Sequence, residues 1–122
     1  MHELGIMTGV MESVTRAAVD AGATEVLSVN LIVGEMTEAI PDALFFAWEA
    51  LQETSPMIAN AELNVDMVKP FSRCLECNAE YEHDRFHMVC PECGSGFTQL
   101  LRGKELHIES IEADVPDDDE EA

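Results

Sequence analysis

The sequence predicts an α+β fold, in which a small domain of two helices and a three-stranded mixed sheet is interrupted by an inserted domain of a different kind. Three observations carry this. Two stretches repeat their apolar residues every three or four positions, as helices do, and three others alternate, as strands do. The only four cysteines of the 122-residue chain fall between the second and third alternating stretches. A chain of this length is one domain, or one domain with a small insertion.

Leu4, Met7, Met11, Val14, Ala18 and Ala21 recur at steps of three and four, one apolar face of a helix about five turns long. Gly22 is placed to stop it. Met7 and Met11 read as core-filling side chains rather than metal ligands. From Val26 to Val33, Leu27, Val29, Leu31 and Val33 share one face and Ser28 and Asn30 the other, so this is a strand, ended by Gly34-Glu35. Pro41 and Asp42 open the second helix: proline suits its first turn, and an acid suits its positive end. Leu44, Phe45, Trp48 and Leu51 form its expected buried stripe, and Pro56 marks its end.

Ala61, Leu63, Val65 and Met67 alternate as a second strand, closed by Pro70. Strand, helix and strand in series favour a right-handed parallel crossover. Gly103 leads into a third strand over 105–113, where the step from Ile108 to Ile111 breaks the alternation as a bulge would. The simplest topology pairs this strand antiparallel with the second, which makes residues 70–103 an insertion in the hairpin between them. Residues 1–69 and 104–113 then form an α/β domain. The acidic run 114–122 is a solvated tail, expected to be disordered.

The cysteines form two C-x-x-C pairs, Cys74-Leu75-Glu76-Cys77 and Cys90-Pro91-Glu92-Cys93, with twelve residues between them. Each pair can turn two thiolates inward on a tight knuckle, and two facing knuckles supply four sulfurs at tetrahedral corners, which suits Zn²⁺. Pro91 and Gly94 are the rigid and the permissive residue that a knuckle uses. The spacer has room for one short hairpin. A pair of disulfides would fit a secreted staple framework, but Met1 to Asp20 carries Glu3 and Glu12 and no basic start, so it does not read as a signal peptide. A redox dithiol would need one pair opening a helix beside a βαβ unit. The inserted domain, 70–103, therefore reads as a zinc ribbon. Four thiolates close the coordination sphere, so the metal holds structure and does no chemistry.

Acids outnumber bases 25 to 6, a net charge of −19. That charge repels nucleic-acid phosphates and anionic membrane surfaces and suits cations or basic partners. Within 70–103, Arg73, Arg85 and Arg102 stand against Glu76, Glu80, Glu82, Asp84 and Glu92, three minus five or −2, which argues against a nucleic-acid-binding ribbon. No apolar run is long enough to span a bilayer. No nucleophile is paired with a base and no phosphate loop is present, so no catalysis is expected. The reading is a protein of the reducing cytoplasm.

The chain start adds a second metal motif. Met1-His2-Glu3 sets an imidazole one residue from the α-amine. The amine and the His2 amide nitrogen would close a five-membered chelate ring, the His2 amide and its Nδ1 a six-membered one, and the Glu3 amide a four-nitrogen plane. Such a plane favours Ni²⁺ or Cu²⁺ over tetrahedral Zn²⁺.

Several features in this order resemble the HypA/HybF family of nickel metallochaperones that serve [NiFe]-hydrogenase maturation. They are Met1-His2-Glu3-Leu4, Val33-Gly34-Glu35, the Pro41-Asp42-Ala43-Leu44-Phe45-Phe46-Ala47-Trp48 helix, the two knuckles, and Gly103-Lys104-Glu105-Leu106 before the last strand. The resemblance covers residues 1 to about 113. It implies that Met1, His2 and Glu3 hold transferable Ni²⁺ and that Cys74, Cys77, Cys90 and Cys93 hold structural Zn²⁺. It also implies a HypB-type GTPase and the hydrogenase large subunit precursor as partners, with urease served by some members. The rival reading is a zinc-ribbon module that bridges proteins and carries no nickel. His83 and His87, four apart between the knuckles, read as solvent-facing residues of the ribbon, with a metal or pH-sensing role as the alternative, and His107 reads as a surface position. Glu35 and Asp42 read as a strand-end and a helix-start acid, with a supporting role behind the nickel ligands as the alternative.

Overall fold

The computed structural model describes residues 3–116. Met1, His2 and residues 117–122 of the acidic run lie outside them. The elements run α1 (Glu3–Asp20), β1 (Glu25–Gly34), α2 (Pro41–Gln52), β2 (Glu62–Val68), β3 (Phe71–Cys74), β4 (Glu80–Glu82), β5 (Thr98–Arg102) and β6 (Leu106–Asp114), with 3-10 turns at Glu35–Thr37 and Pro56–Ile58. The strands form two sheets, of order β2-β1-β6 and β4-β3-β5. Two compact units result. One holds both helices and comprises the chain up to Leu31, Ile40–Val65 and the chain from Ile108 on; the other comprises Ile32–Ala39 and Asp66–His107.

Helix α1 ends as the sequence predicts. Gly22 turns left-handed at φ 77, its amide donates to Val19 O at 3.0 Å, and the Ala23 amide donates to Ala18 O at 2.8 Å. That bond pair satisfies two carbonyls the helix would otherwise leave open. Met7, Val14 and Ala18 are buried against neighbours that include α2, whereas Leu4 and Ala21, expected on the same face, are exposed. Both lie at the helix ends, beyond the reach of the packed stripe.

Helix α2 starts on Pro41 and buries Leu44, Ala47 and Trp48. The Trp48 indole donates to Ala61 O at 3.2 Å, and the Gln52 amide donates to Ile58 O at 3.0 Å and Ala61 O at 2.8 Å. These bonds tie the helix to the turn that feeds β2, and each fully buried large side chain adds about 1.5–3 kcal/mol. Phe45, expected inside, is turned outward, and Ala47 is buried.

Strand β1 is central, with Val26, Val29, Leu31 and Val33 almost wholly buried. It departs from the predicted alternation: Val26 and Ser28 face inward and Leu27 outward, and the inward phase then passes to Val29. Strand β6 runs antiparallel to β1, since the Thr24 amide donates to Asp114 O and the Gly34 amide to Glu105 O. Those two bonds bracket 34 − 24 = 10 steps on β1 and 114 − 105 = 9 on β6. The extra residue belongs to β1, and adjacent inward residues are what such a bulge produces. The slip that the sequence places on the last strand is present as well: the less exposed residues of β6 run Leu106 and Ile108, then Ile111 and Ala113.

The topology also corrects an expectation. The last strand pairs with β1, not with β2, so β2 and β6 are the two edges and residues 70–103 connect opposite edges rather than the arms of a hairpin. The burial pattern gives the reason. The most apolar strand needs a neighbour on each side, while β2 and β6 keep exposed residues at alternate positions, as edges do.

In the second sheet β3 pairs antiparallel with both β4 and β5. The hairpin therefore encloses the first cysteine pair. The spacer between the pairs, where a hairpin was expected, holds turns after Glu82. The Arg102 guanidinium lies 4.2 Å over the Phe71 ring, and Arg73 donates to Gln99 Oε1 at 3.0 Å.

Gly34 and Gly103 meet backbone to backbone: a Cβ on Gly34 would run into the Gly103 carbonyl, and Gly103 itself is left-handed at φ 119. Neither side can yield, because both are main chain. Gly34→Ala should cost about 1–3 kcal/mol in urea unfolding. Gly9→Ala, in mid-helix with nothing within 4 Å, should instead raise stability by about 1 kcal/mol.

Candidate metal centre

Two knuckles of the same build carry the cysteines. In the first, the Cys74 amide donates to Ala79 O at 2.8 Å and the Asn78 amide to Cys74 O at 2.9 Å. In the second, the Cys90 amide donates to Ser95 O at 2.9 Å and the Gly94 amide to Cys90 O at 2.8 Å. Each turn closes on a left-handed residue, Asn78 at φ 65 and Gly94 at φ 75. Gly94 is legible in the sequence. Asn78 was overlooked, although asparagine is the non-glycine residue that visits this region most readily.

The turns bring all four sulfurs within 4.8 Å of one another. Cys74 Sγ lies 3.5 Å from Cys93 Sγ, and Cys77 Sγ lies 3.6 Å from Cys90 Sγ. Those contacts are far beyond a disulfide bond of about 2.05 Å. They match the edge of about 3.8 Å in a tetrahedron built on Zn–S bonds of about 2.3 Å. Cys74 and Cys90 are buried, and Cys77 and Cys93 reach the surface. Amides point at the sulfurs: Cys77 N is 3.5 Å from Cys74 Sγ, and Glu92 N is 3.4 Å from Cys90 Sγ. The donor set, geometry and amide bonds fit zinc. Among the described residues this is the only His, Cys, Asp and Glu group so placed for a metal.

The thiols do not ionise alike. The amide bond from Cys77 is the main reason the Cys74 thiol is lowered from 9.0 to about 7. At Cys93 the Ser95 amide lowers the value, but the Cys74 sulfur, desolvation and the other sulfurs outweigh it and raise the thiol to about 12. At Cys77 the Ala79 amide is likewise overcome by desolvation and by the Cys90 and Cys74 sulfurs, so the thiol is raised. The metal-free cluster thus holds protons that a divalent cation must displace, and metal uptake releases them.

The histidines of the spacer are engaged elsewhere. His83 is half-buried: its Nδ1 is 2.6 Å from the Asp84 carbonyl oxygen and its Nε2 is 2.7 Å from Ser72 Oγ. A neutral ring therefore donates from Nδ1 and accepts from the buried Ser72 hydroxyl. This is a structural brace, not the solvent-facing position the sequence suggested. His87 is exposed and sits 2.7 Å from Asp84 Oδ1. With the Phe86 amide, it holds the Asp84 carboxyl below its usual range. His107 is exposed, as expected, and Asp42 stands exposed in the first turn of α2. Glu35 opens the 3-10 turn after β1.

Of the three residues assigned to nickel, Met1 and His2 lie outside the described residues. Glu3 is the first residue of α1, and its carboxylate accepts the Ile40 amide at 3.2 Å. That bond fastens the start of α1 to the residue preceding α2.

The chain is similar to known proteins in both sequence and fold. The profile described as "HypA: Hydrogenase/urease nickel incorporation, metallochaperone, hypA" matches residues 1–113. The hydrogenase maturation factor HypA of Moorella thermoacetica is 31% identical over 114 residues, covering 93% of this chain and 100% of the relative. That of Streptomyces avermitilis is 37% identical over 113 residues, covering 91% and 86%. The solution structure of the Ni metallochaperone HypA from Helicobacter pylori superposes with a TM-score of 0.68 at 21% identity, covering 95% of this chain and all of that one, and so shares its fold.

Elemental analysis should find one zinc per chain as purified. Cys93→Ala leaves three ligands and should lose or weaken that zinc, with the helices retained in circular dichroism. Full zinc occupancy in the variant would refute the site. Uptake by metal-free protein should release protons, and affinity should fall as pH falls, because protons compete for the same sulfurs; titration in buffers of differing ionisation enthalpy measures both.

Proposed function

The chain belongs to the HypA family of hydrogenase/urease nickel-incorporation metallochaperones, and from that membership we propose that it carries one transferable Ni²⁺ at its start and one permanent Zn²⁺ at its cysteines. The nickel ligands are the Met1 amine, His2 and Glu3; the zinc ligands are Cys74, Cys77, Cys90 and Cys93. The observation that carries the reading is the anchored Glu3: its bond to Ile40 fixes one end of the ligand segment on a packed helix. A carrier needs ligands that are placed but exchangeable, and a chain terminus supplies exchange. Residues 1–69 with 104–113 serve nickel and 70–103 serve zinc. The protein works in the cytoplasm, performs no catalytic step, and delivers nickel to a hydrogenase large subunit precursor with a HypB-type GTPase, or to urease maturation proteins. None of the described helices is long and apolar enough to cross a membrane.

A protein-bridging zinc ribbon without nickel draws on the outward apolar residues of the cysteine unit, Phe86 and Phe97 above all. Nickel binding separates the two readings. Calorimetry should be run on the native chain, on a chain with one glycine added before Met1, and on His2→Ala. The added residue turns the amine into an amide, so it should weaken nickel as badly as His2→Ala does, though His2 is still present. Equal affinity of the extended and native chains would remove the amine from the ligand set, and no nickel binding by the native chain would leave the bridging reading. Nickel should be lost as pH falls toward the imidazole range near ~6.5 and below, because the ring must be neutral and the amides must give up protons.

A further inference from the structure

A surface helix of a globular protein usually turns a polar face outward. The outer face of α2 does not. Its exposed residues are Asp42, Phe45, Phe46, Glu49, Ala50 and Glu53, at steps of 0, 3, 4, 7, 8 and 11. At about 100° per residue, the three carboxylates line up as a narrow spine. Phe45 lies on one flank, and Phe46 and Ala50 lie on the other. Phe46 is 75% exposed and Phe45 37%, and Ile40, just ahead of the helix, is 59% exposed. No base interrupts the face. Of the six bases of the chain only Arg16, on α1, falls in the unit that holds the helices; Lys69, Arg73, Arg85, Arg102 and Lys104 fall in the other.

We propose that this face of α2 docks a cationic amphipathic segment of a partner protein, with lysine or arginine along the carboxylate spine and apolar side chains over Phe45 and Phe46. Charge complementarity selects the occupant. A second copy of this chain would bring the same carboxylates against these, and an anionic lipid surface would be repelled. Exposed aromatics are the residues that anchor such contacts. The position of the face gives the docking a purpose: it begins beside Ile40, whose amide is held by Glu3. A partner seated on α2 has Glu3, the last residue of the proposed nickel segment, at the edge of its footprint. The inference rests on that reading for the partner's identity and on the helix face for the site.

The test uses the intact zinc-loaded chain, with and without nickel, against the GTPase and the large subunit precursor of the same organism. Phe46→Ser and the pair Glu49→Lys with Glu53→Lys alter exposed residues outside both metal sites. Each should leave zinc content, nickel affinity and thermal unfolding unchanged and weaken partner binding at least tenfold. The charge-reversed pair should also flatten the salt dependence. Amide shifts on binding should fall on residues 40–53. Unchanged binding in the variants, or shifts confined to the cysteine knuckles, overturns the proposal. Self-association of the native chain that is lost in Phe46→Ser also overturns it, by making a second copy the occupant. If neither protein binds a chain that takes up nickel normally, the docking proposal falls and the nickel reading stands. If a chain without nickel affinity still docks through 40–53, the docking stands and the nickel reading falls.

Discussion

Four sulfurs within 4.8 Å of one another are the constraint on which the cysteine unit depends. Between Phe71 and Arg102 the fully buried side chains are Cys74, Cys90 and Ser72; no leucine, isoleucine, valine, phenylalanine or methionine there is buried. The stretch 71–102 has no oily core of its own to hold it. Its strands are three to five residues long, too short to persist alone in water. Unlike the other unit, with its buried Met7, Leu31, Leu44 and Ile58, it must be organised by coordination. Metal ligation takes the place of hydrophobic burial, as small domains require. With the centre given to sulfur, Leu75, Phe86, Val89 and Phe97 are left on the outside.

The legible parts of the sequence were those set by local chemistry. Gly22, Pro41 and the two cysteine pairs each impose a conformation or a ligand geometry regardless of what packs around them, and each is found where it was expected. What stayed hidden depends on neighbours distant in sequence. The outward turn of Leu27 follows from one extra residue in β1 relative to β6, which no pattern within β1 reveals. The pairing of β6 with β1 instead of β2 is a choice between edges, and both strands alternate well enough for either. Phe45 read as core because an aromatic residue at helical spacing does so whether or not a surface exists to cover it. His83 read as a surface residue, since nothing in its own segment announces the buried Ser72 hydroxyl that meets it.

The near-repeat of the two knuckles, sixteen positions apart from Cys74 to Cys90 and from Cys77 to Cys93, is not a repeat of their surroundings. The first is continuous with β3 and β4 and the second with turns on one side and β5 on the other. The same turn therefore serves two contexts, one braced by a hairpin and one not. The Cys74 and Cys93 sulfurs, though in contact, ionise differently: amide bonds prevail at Cys74, whereas at Cys93 the Ser95 amide is outweighed by the neighbouring sulfurs and by desolvation.

Helix α1 begins at Glu3 and runs for 18 residues. A helix of that length carries roughly half a unit of positive charge at its first turn, and the chain start lies only two residues upstream. That charge disfavours a cation at the first turn, and the Glu3 carboxylate, bonded to Ile40, offsets part of it. On the proposed reading, in which Ni²⁺ is held at the start of the chain, the same dipole would limit retention of a cargo that must leave again, by backbone geometry alone and with no moving part.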